Sequence, residues 1–295
     1  MAEAPRIFDR ALHARRLDRA AADFDAASFL KARAAGDLVD RLIAINRGFP
    51  VAVDLGARDG VFARVLTDAA PNKVGLVVET DLSAAILRGR SGSRLVADEE
   101  RLPFAPESLD LVASSLALHW VNDLVGALIQ IRRALKPDGL FIGALLGGAT
   151  LTELRQSLTE AETRARGGAG PRVSPFVDAH DGAALLQRAG FALPVVDIDK
   201  VTARYDHPLK LLADLRAMGE SAALFDRPRA PLTRRIVEDM AAIYAERFST
   251  PDGKIVATFE IITLTGWAPH PEQPKPLARG SAKMRLGDAL RRQTI

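Results

Sequence analysis

The chain has 295 residues, 48% of them apolar and 26% charged, with a formal net charge of +3. This is the make-up of a folded globular protein, with chain enough for one elaborated domain or two small ones. It contains no cysteine, which excludes disulfides, thiolate metal ligands and cysteine nucleophiles, and its scattered cations and few aromatic residues argue against a nucleic-acid surface.

Residues 6–24 read as a basic helical arm anchored by Ile7, Phe8, Leu12 and Leu17. Residues 6–19 are Arg-rich, but Asp9 and Asp18 interrupt them, so they do not read as a transit peptide. No run approaches the roughly 18 apolar residues of a membrane span, and a cytoplasmic protein is expected. Ser28 is placed to cap a second helix carrying Phe29, Leu30, Leu38, Leu42 and Ile45, ended by Gly48 and Pro50. Residues 1–48 thus form an N-terminal arm and helix.

The next stretch, V-A-V-D-L-G-A-R-D-G over 51–60, organises the chain. Val51, Val53 and Leu55 are apolar without helical period, as in a strand buried on both faces. Asp54 and Gly56 open a turn, Gly60 closes it, and V-F-A-R-V-L continues with helical spacing. Glycines let a ligand approach the backbone, and the following helix start offers unpaired N–H groups.

Residues 74–78 read as a second buried strand, ending in Glu79-Thr80-Asp81. Asp81 lies 21 residues past Gly60, the spacing at which an acidic side chain accepts from ribose hydroxyls. The plainer role is capping a helix that begins near Leu82, and Glu79 is the second ribose candidate. Residues 94–97 and 109–115 are strands three and four, 124–135 a helix, Pro137-Asp138-Gly139 a turn, and 140–146 strand five. Five strands with helical crossovers make an α/β doubly wound sheet. Ligands bind beyond the carboxyl ends of such strands, where Asp54, Gly56, Gly60, Asp81, Asp98 and residues 114–123 all fall. Residues 49–146 are the expected cofactor-binding core.

Residues 147–267 read as helices at 150–164, 182–189, 209–218 and 231–248, with strands at 194–205 and 258–267. A glycine-rich loop occupies 167–171. Pro269, Pro271, Pro274 and Pro276 predict an extended run over 268–280, within a tail of 268–295.

Several stretches resemble one family. They are I-F-D-R-A-L (7–12), V-D-L-G (53–56), A-D-E-E-R-L-P-F (97–104), L-D-L-V-A-S-S-L-A-L-H-W-V-N-D-L (109–124) and L-K-P-D-G-L-F-I-G-A (135–144). G-G-A-T-L-T-E-L-R (147–155), M-G-E-S (218–221) and P-L-A-R-G-S-A (276–282) follow. They are similar to the methyltransferase-fold assembly factors of respiratory complex I, the mitochondrial assembly factor 5 group and its bacterial relatives. More distantly they resemble the malonyl-carrier-protein O-methyltransferase of biotin synthesis. The resemblance implies a class I S-adenosylmethionine (SAM) methyltransferase fold, with seven strands, the last antiparallel. It implies SAM as cofactor, with Asp54, Gly56 and Gly60 near its methionine part, Asp81 on the ribose and Asp98 on the adenine amine. Ser115, ending strand four, is counted with them.

Arg58 stands where the related D-x-G-x-G-x-G loop has its middle glycine. It either reaches the cofactor carboxylate or fills the loop and weakens binding. His119 is the candidate general base and Trp120 a pocket wall, although a His-Trp pair at a strand end also serves as plain packing. Met218, Gly219 and Glu220 are placed at the substrate mouth, or simply at a helix C-cap. No metal is expected: the five histidines form no helical ligand pair, and His270 with Glu272 lies in the proline-rich tail. The implied partner is a protein substrate, a complex I quinone-module subunit, modified by methylation or, as in the mitochondrial relatives, by arginine hydroxylation. The alternatives are carboxyl O-methylation of a carrier-bound acyl group and a non-enzymatic assembly chaperone.

Overall fold

The structure, a computed structural model, describes residues 6–88, 90–274 and 281. Three helices open the chain, α1 (Arg10–Ala20), α2 (Phe24–Ala27) and α3 (Phe29–Ala44). The alternation that follows is β1 (Phe49–Leu55), α4 (Val61–Ala69), β2 (Val74–Asp81), α5 (Ala84–Leu87), β3 (Ser93–Val96), β4 (Leu109–Ser115), α6 (Leu124–Ala134) and β5 (Leu135–Leu146). The second half runs α7 (Thr152–Arg166), α8 (Gly182–Arg188), β6 (Ala192–Tyr205), α9 (Pro208–Ala217), α10 (Arg234–Phe248) and β7 (Ile255–Trp267).

Seven strands form one sheet in the order β3-β2-β1-β4-β5-β7-β6. The first five pair in parallel, and β7 runs antiparallel to both β5 and β6. The order reverses between β1 and β4, so the crevice at their carboxyl ends is the topological switch point. The period-two pleat divides the central strands between two cores. Ala52, Leu111, Ala113, Leu140 and Ile142 face α3, α4, α7 and α10. Val53, Leu55, Val112, Phe141 and Leu145 face α6 and α8. A strand flanked by helices on both sides has no polar face, which is why β4 is buried along its whole length.

Some local expectations need correction. The 6–24 arm breaks into α1 and α2. Ser28 precedes α3 without capping it; its hydroxyl instead donates to the Asp25 carbonyl at 3.1 Å. The helix after β2 is one short turn capped by Ser83, whose Oγ accepts from Ile86 N, and not by Asp81. The turn at Pro137-Asp138-Gly139 lies inside β5. Register passes from Leu109↔Leu135 to Leu111↔Leu140, so four residues bulge out, with Asp138 at φ +60°.

The tail is not extended where it is described. His270–Gln273 closes a turn, and Gln273 Nε2 donates to Asp138 Oδ1 at 2.8 Å, pinning it to that bulge. The rest of the predicted tail and, apart from Ser281, the 276–282 stretch lie outside the described residues.

Candidate active site

The loop leaving β1 turns on Gly56 and Gly60, at φ +73° and +65°. Both need glycine for space as well as for backbone. A Cβ on Gly56 would sit 2.2 Å from the Ala117 Cβ, and one on Gly60 1.3 Å from Arg90 Nη2. The Arg90 guanidinium lies over Gly60 because Glu79 holds it, with Nη2 to Oε1 at 2.6 Å. Glu79, the second ribose candidate, is thus already engaged.

Arg58, between the glycines, adopts φ +52°, and its side chain is 2% exposed. Its guanidinium lies on Asp81. Nη1 donates to Oδ2 at 2.7 Å and the backbone N of Arg58 donates to the same oxygen at 3.0 Å. The other oxygen accepts from Ser83 N. Burial works against the Arg58 charge, and the Asp81 and Glu99 carboxylates outweigh it, holding the guanidinium above its ordinary value. Its Nη2 has no partner. The loop therefore gives Arg58 a protein partner that neither sequence reading of this residue contained.

Asp54 is fully buried at the end of β1, and neither carboxylate oxygen has a hydrogen bond. Burial pushes it up to about 7, with the charge of Lys31 opposing. Lys31, on α3, is also buried, and its ammonium donates to the carbonyls of Gly56, at 2.9 Å, and Ser115. Ser115 Oγ has no partner, whereas Ser114 Oγ donates to the Leu55 carbonyl.

Asp98 lies where strand three ends, and Oδ1 accepts from Arg10 Nη2 at 2.7 Å. The same guanidinium meets Glu99, and its Nη1 donates to the Trp120 carbonyl at 3.2 Å. Arg10 comes from α1, so the arm is stitched across the site. Phe8 N donates to Asn122 Oδ1 at 2.7 Å and Asp9 N to the Ala223 carbonyl at 2.8 Å. Four stretches far apart in sequence, 8–13, 98–101, 119–122 and 219–224, meet here.

Trp120 is their centre. Phe8 packs edge-on to it and His13 stacks on it with ring centroids 4.2 Å apart. Its Nε1 donates to Glu220 Oε2 at 3.0 Å, and His119 Nε2 lies 3.1 Å from the same oxygen. An ionised carboxylate only accepts, so this pairing puts a proton on His119 Nε2, and in the neutral ring Nδ1 is then the acceptor. Nδ1 is buried and has no partner. Gly219 and Glu220 follow α9 as a paired C-cap, with Glu220 N donating to the Leu215 carbonyl and Gly219 N to Arg216. The capping and site roles coexist: the cap aims Glu220 at His119, while Met218 packs in the core and also lines the large cavity beside the site.

Sequence reasoning missed Lys31, Arg10 and His13. Each lies on the inward stripe of its helix, Lys31 with Ala35 and Leu38, and Arg10 and His13 with Leu17. A charged or ionisable residue on an apolar stripe is the available signal. His13 is held well below its ordinary value, first by burial and then by Arg58, Arg10 and His119, so it is neutral. A cavity of about 1000 Å³ opens beside this cluster, lined among others by Lys31, Arg58, Trp120, Arg172, Phe176 and Glu220. Among the described residues no group of three or more His, Asp or Glu is placed to hold a metal ion.

The methyltransferase domain family matches residues 53–143. The Danio rerio protein "Arginine-hydroxylase NDUFAF5, mitochondrial" is 41% identical over 96% of this chain and 89% of its own length. The malonyl-[acyl-carrier protein] O-methyltransferase of Methylovorus sp. (strain MP688) is 33% identical over 90% of each chain. Among solved structures, the YcgJ protein of Bacillus, at 15% identity, matches the fold with a TM-score of 0.55 over 81% of this chain and 99% of its own. With this end-to-end likeness, and a glycine loop at the switch point of a seven-stranded sheet, the chain belongs to the NDUFAF5 arginine-hydroxylase family of methyltransferase-fold proteins.

Proposed function

We propose that the chain binds SAM at the carboxyl ends of β1, β2 and β3 and modifies an arginine side chain of a complex I quinone-module subunit. The observation that carries the cofactor reading is the cluster of buried polar atoms without partners in this crevice: both Asp54 oxygens, Ser115 Oγ and Arg58 Nη2. Buried polar groups are rarely left unpaired unless a ligand or water completes them. This reading gives Gly56 and Gly60 to its methionine part, Asp81 to the ribose and Asp98 to the adenine amine; Asp81 then has to exchange its Arg58 contact, and Asp98 its Arg10 contact, for the ligand. Bound there, SAM supplies a methyl group on a sulfonium, an activated electrophile.

The chain's own residues prepare the acceptor. Glu220 fixes the His119 tautomer and orientation, and the bare Nδ1 takes a proton from an acceptor that must be neutral to react. Trp120 and Phe176 wall the cavity.

The name of the Danio rerio relative supports an arginine acceptor and a mitochondrial setting. We assign this chain to complex I biogenesis, in the matrix of a mitochondrion or the cytoplasm of a bacterium. The cytoplasmic expectation draws no support from that relative. A second reading, carboxyl O-methylation of a carrier-bound acyl group, is favoured by the cavity lining. It carries six cationic side chains, Arg16, Arg19, Lys31, Arg58, Arg172 and Arg216, against the acidic Asp23 and Glu220.

Mass spectrometry of quinone-module subunits from cells with and without the protein tests this. An added oxygen on arginine means hydroxylation, and an added methylene on arginine means methyl transfer. A base-labile methyl ester on a carrier-bound acid supports the second reading. Unchanged subunits overturn the first.

A further inference from the structure

Lys31 has an unusual position for a lysine. Its side chain lies on the core stripe of α3 and the residue is 4% exposed. A lysine at such a place ordinarily reaches out to water. This one turns inward, and its ammonium donates to the carbonyls of Gly56 and Ser115. Those two carbonyls lie at the carboxyl ends of β1 and β4, adjacent strands at the switch point. The carboxylate nearest in charge is Asp54, the first of the attractions that oppose the burial of Lys31. It makes no hydrogen bond of its own. Two converging carbonyls with a bare carboxylate close by form a seat for a primary ammonium, a group with three donors and no acceptor.

The α-ammonium of SAM, at the end of its methionine arm, is such a group. On the reading given above, on which this inference rests, that arm lies against Asp54 and Gly56. Two ammonium groups cannot share one pair of carbonyls. We propose that the Lys31 ammonium occupies the seat of the cofactor's α-ammonium, so that cofactor binding exchanges one ammonium for the other. Lys31 also lines the cavity of about 1000 Å³, which gives the displaced side chain somewhere to go. The exchange leaves the two carbonyls and Asp54 facing a positive charge throughout. Its cost is paid in affinity: the cofactor gains only the difference between its own ammonium and the one it removes. Lys31 is thereby a residue that sets how tightly the amino-acid arm is held.

Two thioether probes separate this from a purely structural role. S-adenosyl-3-thiopropylamine carries adenosine, thioether and a terminal ammonium, without a carboxylate that Lys31 might contact. 5′-Methylthioadenosine lacks the ammonium arm. In wild-type full-length protein, calorimetry is expected to give the two probes affinities within about threefold. In Lys31→Met the amine-bearing probe gains about tenfold, while 5′-methylthioadenosine changes by less than twofold. Lys31→Gln is the second variant should the first lose its cooperative melt, with the same direction expected. An amine-bearing probe that binds no tighter, or weaker, in the variants overturns the exchange. So does an equal gain by both probes. Failure of wild type and variants to bind any adenosyl compound, SAM included, overturns the cofactor reading itself and this inference with it.

Discussion

Two buried acidic clusters lie at the carboxyl ends of the central strands, and they are finished differently. Where β5 meets β7, Glu153 accepts from Thr258 N at 3.2 Å and from its Oγ1 at 2.5 Å. Thr150 Oγ1 donates to the Glu260 carbonyl and accepts from Glu260 N, and Gly147 N donates to the same carbonyl. At the end of β1, Asp54 is at least as buried and has no hydrogen-bond partner. A satisfied buried network specifies architecture, while an unsatisfied one is a cost that persists where a ligand repays it. The 147–155 stretch, part of the resemblance to methyltransferases, is therefore a structural knot. The 54–60 stretch is the one to which the proposed function assigns the cofactor.

That contrast can be broken by substitution. The largest effect is expected at His119. His119→Ala removes the proposed base and should lower the rate of subunit modification roughly 10²–10⁴-fold, measured by mass spectrometry, with SAM affinity nearly unchanged. An unaltered rate would reduce the His119–Glu220 pair to packing. Arg58→Ala comes next. It strips a buried carboxylate of its ion-pair partner and should cost about 3–5 kcal/mol of stability, read by urea denaturation. Glu153→Ala unties the knot and should cost about 1.5–3 kcal/mol while leaving SAM affinity unchanged. A variant that melted normally but lost SAM would reverse the roles assigned to the two clusters.

The smallest effect is in pH. Burial raises Asp54 from 3.8 to about 7, with Lys31 opposing. Burial lowers Lys31 from 10.5 to about 8, with Asp54 opposing. Between the two Asp54 values the folded chain holds a proton that the unfolded chain has lost, so this group's contribution to stability falls as pH rises toward 7. Between the two Lys31 values the folded chain has lost a proton that the unfolded chain keeps, so stability rises from about 8 upward. Lys31→Met should abolish the upper limb. Chemical denaturation of both proteins between pH 7.5 and 10 checks it, and parallel curves would contradict it.

How much of this was legible in the sequence depended on the kind of constraint. A strand covered on both faces is written as a short, largely apolar run, so 109–115 could be bounded to the residue. Gly56 and Gly60 were legible because only their backbone and missing Cβ satisfy the loop. Arg58 was singled out as a departure from the loop pattern, but its partner was not legible. A buried pair between residues 23 apart depends on where two strand ends come together. Lys31 is not legible as a site residue because lysines on helices are usually solvated, and only its register with Ala35 and Leu38 marks it as inward. Glu220 was placed at the site by resemblance, and the C-cap at Gly219 was legible as a local signal; that this cap aims Glu220 at His119 depends on tertiary packing.

The stitching of the N-terminal arm has a consequence in time. Arg16 donates to the carbonyls of Ser221 and Ala222, and Arg227 reaches back to Asp9, partners separated by 205 to 218 residues. The arm leaves the ribosome well before its partners and is thus among the last segments to find its place. At about 5–20 residues per second it waits on the order of ten to forty seconds for residues 219–224 to be made. During that interval the nascent chain has its glycine loop but no Glu220 to orient His119. A prematurely released fragment ending before residue 219 would lack both Glu220 and β7, which joins β5 to β6, so neither the His119 corner nor the sheet beside it would be complete.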